Sequence, residues 1–223
     1  MGTKTALVAG ATGLVGGHCV QLLLADDSYS HVIALVRRPI QLAHPKLTTV
    51  IVEFDKLNSV RERIKANHIF LCIGTTNSET TDRDRYYDID VRYPSEIAAI
   101  AKSNGATTVC LVSSLGANHN SSQWYIKFKG EVEEKTKALG FNATFLFRPS
   151  FIEGRVDRQR FKEKLALATF NFWSFLFRGR ARRLLPIKGE LIAQAMITAA
   201  NSNVAGVTVV DRLGMLDLLH LPS

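Results

Sequence analysis

Apolar positions along this chain cluster into short runs, and the residues between them follow helical periodicity. Thr5–Ala9, His31–Val36, Leu47–Val52, His68–Ile73 and Thr107–Val112 each read as a short strand buried on both faces. Between them lie helix-patterned segments. One carries Cys19-Val-Gln-Leu-Leu-Leu, one begins near Leu57, and one places Ile97, Ile100 and Ala101 on one face before stopping near Asn104-Gly105. Strand and helix alternate, and parallel strands need crossover helices. The pattern therefore predicts an α/β fold: a doubly wound parallel sheet with helices on both faces. Further on, a helix starts near Gly189, a last strand spans Val204–Val210, and Asp211–Ser223 closes the chain as a short helix. We read 1–223 as one domain with a small C-terminal helical extension and an aromatic-basic insertion at 151–190. No internal repeat or low-complexity linker interrupts the first 150 residues.

The turn after the first strand carries the strongest signal. Gly10, Gly13 and Gly16 follow one another at three-residue spacing in Gly-Ala-Thr-Gly-Leu-Val-Gly, directly between a strand and a helix. Gly10 permits the tight turn, Gly13 leaves room for backbone beside a pyrophosphate, and Gly16 lets the helix pack closely on the strand. The helix N-terminus then offers its free N–H groups to phosphate. This is the Rossmann arrangement for a dinucleotide; an ordinary structural turn is the alternative. The second strand runs into Arg37-Arg38-Pro39, where an NAD-preferring chain usually places Asp or Glu to accept from the ribose 2′-OH. Two arginines offer forked donors to a 2′-phosphate, which points to NADPH; a solvated basic turn is the bland reading. Asp55 follows the third strand, where it either contacts the adenine or caps the next helix. Ile73 and Gly74, after the fourth strand, place small backbone beside the cofactor. Residues 77–85 are polar and charged and read as an exposed loop.

The fifth strand ends in Ser113-Ser114, and ligands of open parallel sheets collect beyond the carboxyl ends of the strands. Twelve residues later comes Tyr125, and Lys129 stands four beyond it, on the same helix face. Reducing a carbonyl needs a hydride donor and an acid for the developing alkoxide. A free tyrosine titrates near ~10, and a neighbouring ammonium favours its phenolate. Ser113 would hydrogen-bond the substrate carbonyl and Lys129 would also hold the nicotinamide ribose. A half-buried tyrosine on a surface helix is the alternative. Cys19, Cys72 and Cys110 sit in apolar contexts without metal-ligand spacing, so they read as reduced core thiols. With no apolar run near the roughly 20 residues of a membrane span, and no room before the first strand for a leader, we expect a cytosolic protein.

Together, Gly-Ala-Thr-Gly-Leu-Val-Gly, Leu-Val-Arg-Arg-Pro, Ile-Gly-Thr-Thr, Val-Ser-Ser-Leu-Gly-Ala and Tyr-x-x-x-Lys-Gly-Glu-Val-Glu resemble the atypical short-chain dehydrogenase/reductases of the HIV Tat-interacting protein type. Bacterial members of that group are described as NAD(P)-binding oxidoreductases. The resemblance covers about residues 4–200. It implies cofactor contacts from Thr12, Gly13, Leu14 and Val15, from Arg37 and Arg38, and from Ile73, Gly74, Tyr125 and Lys129. Phe147-Arg148-Pro149-Ser150-Phe151-Ile152 is similar to the family's Arg-Pro element, which implies Ile152 beside the nicotinamide carboxamide. Asp157–Arg160 resembles the next segment and implies a cofactor contact from Arg160. Ser150 departs from the glycine usual after Arg-Pro.

Charge changes the picture only locally. The formal net charge is +8, and residues 155–183 hold nine Lys/Arg against two Asp/Glu. Within that stretch, Phe161, Leu165, Ala168, Phe172 and Phe175 fall at helical spacing and lead into Arg178-Gly-Arg-Ala-Arg-Arg183. Three roles fit: a helix covering the substrate cleft or a dimer face, an interfacial membrane helix, or an aromatic pocket for an anionic, lipid-like substrate. No nucleic-acid module accompanies the basic cluster. The expected partner is a small-molecule carbonyl substrate and the expected state a monomer or homodimer. The expected activity is NADPH-dependent carbonyl reduction; an NADPH-binding regulatory or scaffolding protein is the alternative.

Overall fold

The computed structural model describes residues 3–75, 82–153 and 179–222. The loop tip at 76–81, Arg160 and nearly all of the aromatic-basic segment lie outside the described residues, so the three roles weighed for that segment stay as expectations.

Seven strands form one parallel sheet: β1 (Lys4–Ala9), β2 (Tyr29–Val36), β3 (Leu47–Ile51), β4 (His68–Leu71), β5 (Thr108–Val112), β6 (Ala143–Arg148) and, numbered in chain order, β9 (Gly206–Asp211). Their order is β3-β2-β1-β4-β5-β6-β9, and a separate two-stranded pair joins β7 (Ile152–Glu153) to β8 (Ile187–Lys188). The doubly wound expectation holds. Central strands alternate their side chains between two apolar layers. Ala6, Val8, Phe70 and Cys110 face one layer with helices α1 (Leu14–Ala25) and α5 (Gly189–Ala200). Leu7, Ala9, Ile69 and Leu111 face the other, with α3 (Tyr93–Ser103) and α4 (Trp124–Ala138). Burial on both faces is why the strands read as continuous apolar runs.

Two departures from the sequence reading matter. The segment after β3 is an irregular 3-10 helix, Phe54–Arg63, with non-helical backbone at Lys56 and Val60. The charged stretch before α3 is helical earlier than expected. α2 (Arg83–Tyr87) is capped by Asp82, whose side chain accepts from the amides of Asp84 and Arg85. A π-helical turn, Asp88–Arg92, joins α2 to α3, and the Tyr93 amide donates to the Asp88 carbonyl five residues back. Pro94 has no amide for the carbonyl of Asp90, so an ordinary α turn would be incomplete there. Glycine and proline punctuation is legible locally, but this wider turn is set by how the helix must sit on the sheet.

At the amino ends of the strands, Tyr29 and His68 form a buried pair, with the tyrosine hydroxyl 2.8 Å from His68 Nδ1. Burial holds the His68 imidazole down to about 4. The unfolded chain takes up this proton near ~6.5, so His68 stabilises the fold fully above that pH and loses the contribution as pH falls towards 4. Urea unfolding at pH 7.5 and 4.5 should show wild type losing about 2–3 kcal/mol more than His68→Gln. Equal losses in both proteins would remove His68 from the acid response.

Candidate functional site

The strand order reverses between β1 and β4, and ligands of open α/β sheets bind at such a switch point. A cleft of about 510 Å³ opens there. Its floor is the glycine turn: Gly10, Thr12, Gly13 and Leu14 line it. Gly10 adopts φ +88°, and a Cβ on it would lie 2.6 Å from the Cys72 carbonyl oxygen. A Cβ on Gly16 would overlap the Gly10 carbonyl, so α1 starts in direct contact with the turn. The Gly13 amide donates to the Gly10 carbonyl at 2.9 Å. A Cβ on Gly13 would sit 3.2 Å from that same oxygen, so this glycine serves the turn itself as well as any ligand. α1 begins with no side-chain cap and no acidic residue in its first turn. The amides of Leu14, Val15 and Gly16 therefore have no acceptor within the helix, and their positive end suits an anionic pyrophosphate. The cradle fits a dinucleotide.

The end of β2 supplies Arg37 to the cleft, while Arg38 is exposed and does not line it. No Asp or Glu lines the cleft among the described residues. Phe54, Ile89 and Tyr93 complete an apolar end, and Ile73, Gly74 and Thr75 form the β4 side.

Asp55 requires a correction. It neither lines the cleft nor caps the 3-10 helix, whose first flanking residue is Glu53. Its carboxylate accepts from Arg92 Nη2 at 2.5 Å and from the Tyr93 hydroxyl at 2.8 Å. Those contacts, Arg92 first, hold its carboxyl below the usual range. The neighbouring Phe54 takes the cleft position instead. Ile152 opens β7, pairs with Ile187 and packs on the apolar layer of α1 and α5.

Beyond Gly74 stands α4. Tyr125 and Lys129 share a face, with the ammonium 6.0 Å from the phenol ring centroid. Lys129 is almost fully buried, at 6% exposure, and its Nζ meets Asp90 Oδ1 at 2.5 Å. Asp90 Oδ2 accepts the Thr75 amide at 2.9 Å. The π turn thus carries a carboxylate that joins Lys129 to the β4 loop. A Cβ on Gly74 would lie 3.5 Å from Asp90 Oδ1 and 3.7 Å from Lys129 Nζ, so the pair borders the backbone expected beside the cofactor. Tyr125 packs edge-to-face on Tyr86, whose hydroxyl donates to the Thr75 carbonyl at 3.0 Å.

Ser113 joins a second buried network. It is buried, and its hydroxyl donates to Glu133 Oε1 at 2.5 Å. Glu133 lies in the same α4 and holds Arg148 through two further bonds, 2.9 Å to Nε and 2.6 Å to Nη2. The Glu133 carboxylate pushes the Arg148 guanidinium up. Ser113 anchors the end of β5 to α4 and β6. The Ser114 hydroxyl makes a long contact, 3.4 Å, to the Leu115 carbonyl.

Sequence reasoning missed Asp90, Glu133, Tyr86 and Gly130. Gly130 sits inside a helix, and a Cβ there would overlap the backbone of Asn118 and His119. It lets the loop after β5 lie directly on α4 beside Lys129.

Comparison with known proteins decides the family. Residues 10–157 match the family model described as NAD(P)H-binding. The chain belongs to the NAD(P)H-binding family. It is 31% identical to "Protein FMP52, mitochondrial" of Candida glabrata over 99% of this chain and 97% of that one. The Saccharomyces cerevisiae protein of the same name is 29% identical over 97% and 96%. Among solved structures, it superposes on a uronate dehydrogenase variant with TM-score 0.70 at 15% identity, covering 99% and 82% of the chains. It also superposes on MoeE5 in complex with UDP-glucuronic acid and NAD, TM-score 0.68 at 19% identity, covering 92% and 75%. These likenesses establish a Rossmann-like fold. The relatives are named FMP52, so the narrower likeness to the Tat-interacting type gives way to this coarser family.

The cytosolic expectation is overturned, because those relatives are named as mitochondrial proteins. Free thiols, and the absence of a spanning helix among the described residues, report on redox state and hydropathy and not on location.

The buried pair makes a quantitative test. Asp90→Ala should destabilise this NAD(P)H-binding protein by about 3–5 kcal/mol, because it strands the Lys129 charge. Asp90→Ala with Lys129→Met should recover much of that loss in urea unfolding. Additive losses would mean that the two side chains do not interact.

Proposed function

We propose that this NAD(P)H-binding protein is an NADPH-dependent reductase of a small carbonyl compound, with Tyr125 as the proton donor. The observation that carries the reading is the buried Lys129 between Tyr125, Asp90 and Gly74. Burying a lysine and its counter-ion is weak support for stability, since apolar residues of similar volume do as well or better. Charged groups placed at the carboxyl ends of the central strands suit chemistry.

When bound, the reduced dinucleotide supplies the hydride. The cradle at Gly10–Gly16 holds its phosphates, and Arg37, with Arg38 beside it, favours the additional 2′-phosphate of NADPH. Tyr125 gives its phenolic proton to the carbonyl oxygen as negative charge develops there. Lys129 keeps a positive charge beside the phenol through that transfer. Asp90 is a positioning residue: it fixes the ammonium and ties it to the Thr75 amide. Ser113 has its hydroxyl on Glu133, so substrate alignment falls to Ser114 and the Tyr125 phenol.

The engagement of Ser113 favours a second reading, a protein that binds NADPH and a partner with little turnover. Both readings share the cofactor site and differ at Tyr125.

Titration calorimetry tests the cofactor. Arg37→Ala with Arg38→Ala should weaken NADPH about 10–100-fold and leave NADH little changed. Equal weakening of both would show that the pair does not read the 2′-phosphate. A panel of aldehydes and ketones followed at the NADPH absorbance band tests the chemistry. Tyr125→Phe should lower any turnover about 10²–10⁴-fold with NADPH affinity retained. Tight NADPH binding with no turnover across the panel would support the second reading.

A further inference from the structure

Two cysteines meet in the wall of the dinucleotide cleft. Cys72, just past β4, is half-buried and lines the cleft, while Cys19 lies directly behind it on α1, fully buried. Their sulfurs are 4.0 Å apart across 53 residues of sequence. A disulfide places its sulfurs about 2.05 Å apart, so the two need to close by about 2 Å. The third thiol, Cys110, is buried and donates to the Met196 carbonyl at 3.5 Å.

We propose that Cys72 and Cys19 form an oxidisable dithiol, a modification site where a hydroperoxide joins them as a disulfide and bound dinucleotide shields them. The site rests on the family's dinucleotide cleft and adds a chemistry that carbonyl reduction does not use. Cys72 reacts first because it faces the cleft. Its thiolate attacks one peroxide oxygen, the O–O bond breaks, and Cys72 becomes a sulfenic acid with release of hydroxide, which takes up the thiol proton as water. The Cys19 sulfur then attacks the sulfenic sulfur, the S–O bond breaks, and a second water leaves. Two thiols lose two electrons and the peroxide gains them. Contact with the Cys72 sulfur, and then burial, hold Cys19 as a thiol, so it is the slower, resolving partner. A nucleotide seated on Cys72 blocks the first step.

The full-length protein, treated with hydrogen peroxide and digested without reductant, reads this directly by mass spectrometry. NADP⁺ is the shielding ligand because it does not reduce peroxide. Wild type should yield a linked peptide pair containing Cys19 and Cys72, released by dithiothreitol. NADP⁺ at about 100 times its Kd should slow the linkage about tenfold or more. Cys110→Ala should link as wild type does. Cys72→Ser should form no link, and Cys19→Ala should carry Cys72 on to the sulfinic acid. Three results overturn the proposal: Cys72 reaching the sulfinic acid in wild type without linkage, a link from Cys72 to Cys110, or an unchanged rate with NADP⁺ bound. Binding is measured separately by calorimetry. Absence of binding would sink the cofactor reading, and the rate without nucleotide would still decide the dithiol.

Discussion

Backbone touches backbone where β1 turns into α1, and the rest of the molecule is built outward from that contact. Gly10 lies against the Cys72 carbonyl and Gly16 lies against the Gly10 carbonyl, with no room for a Cβ at either place. The first contact joins the ends of β1 and β4, the strands that flank the switch point. The second brings the positive end of α1 up to the same crevice. α1 is itself held from outside, since Gly189 at the start of α5 admits the Leu14 side chain, whose Cγ would be 2.8 Å from an added Cβ. Three close approaches therefore make one rigid cradle, and a rigid cradle loses less freedom when a ligand binds.

Around this apolar frame stand two buried charge networks, both anchored on α4. Asp90, Lys129 and the Thr75 amide join α4 to the π turn and the β4 loop. Glu133, Arg148 and Ser113 join the same helix to the ends of β5 and β6. Each charge has an opposite charge beside it, and the carboxylates accept further hydrogen bonds from the Thr75 amide and the Ser113 hydroxyl, which is the condition under which burial is tolerated. The two networks divide the work. One fixes the strand ends on which the loop after β5 rests, and the other holds an ammonium beside Tyr125. Gly130, next to Lys129, allows that loop to lie against the helix.

Much of the site was legible because it depends on short-range geometry. The glycine spacing, Arg37 at the end of β2, Gly74 after β4 and the Tyr125–Lys129 pair all follow from a strand, a turn or a helical repeat. Partners far along the chain were not legible. Asp55 was read as an adenine contact or a helix cap, and the fold gives its carboxylate to Arg92 and Tyr93, more than thirty residues away. Ser113 was read as a substrate donor, and the fold adds a hydrogen bond from its hydroxyl to Glu133. Asp90 drew no notice, since nothing local marks a carboxylate as the counter-ion of a lysine thirty-nine positions on.

Alone, the sequence determined the α/β alternation, the parallel sheet, the glycine turn and the helix face shared by Tyr125 and Lys129. Periodicity and glycine sterics act over a few residues, so they are written in the order of the chain. Only the tertiary structure decided which polar groups meet in the interior. It gave Lys129 to Asp90, Ser113 to Glu133, and Cys19 to Cys72. A buried polar atom must find its partner wherever the fold brings one, and that choice is made by the packing of α4, the π turn and α1 on the sheet.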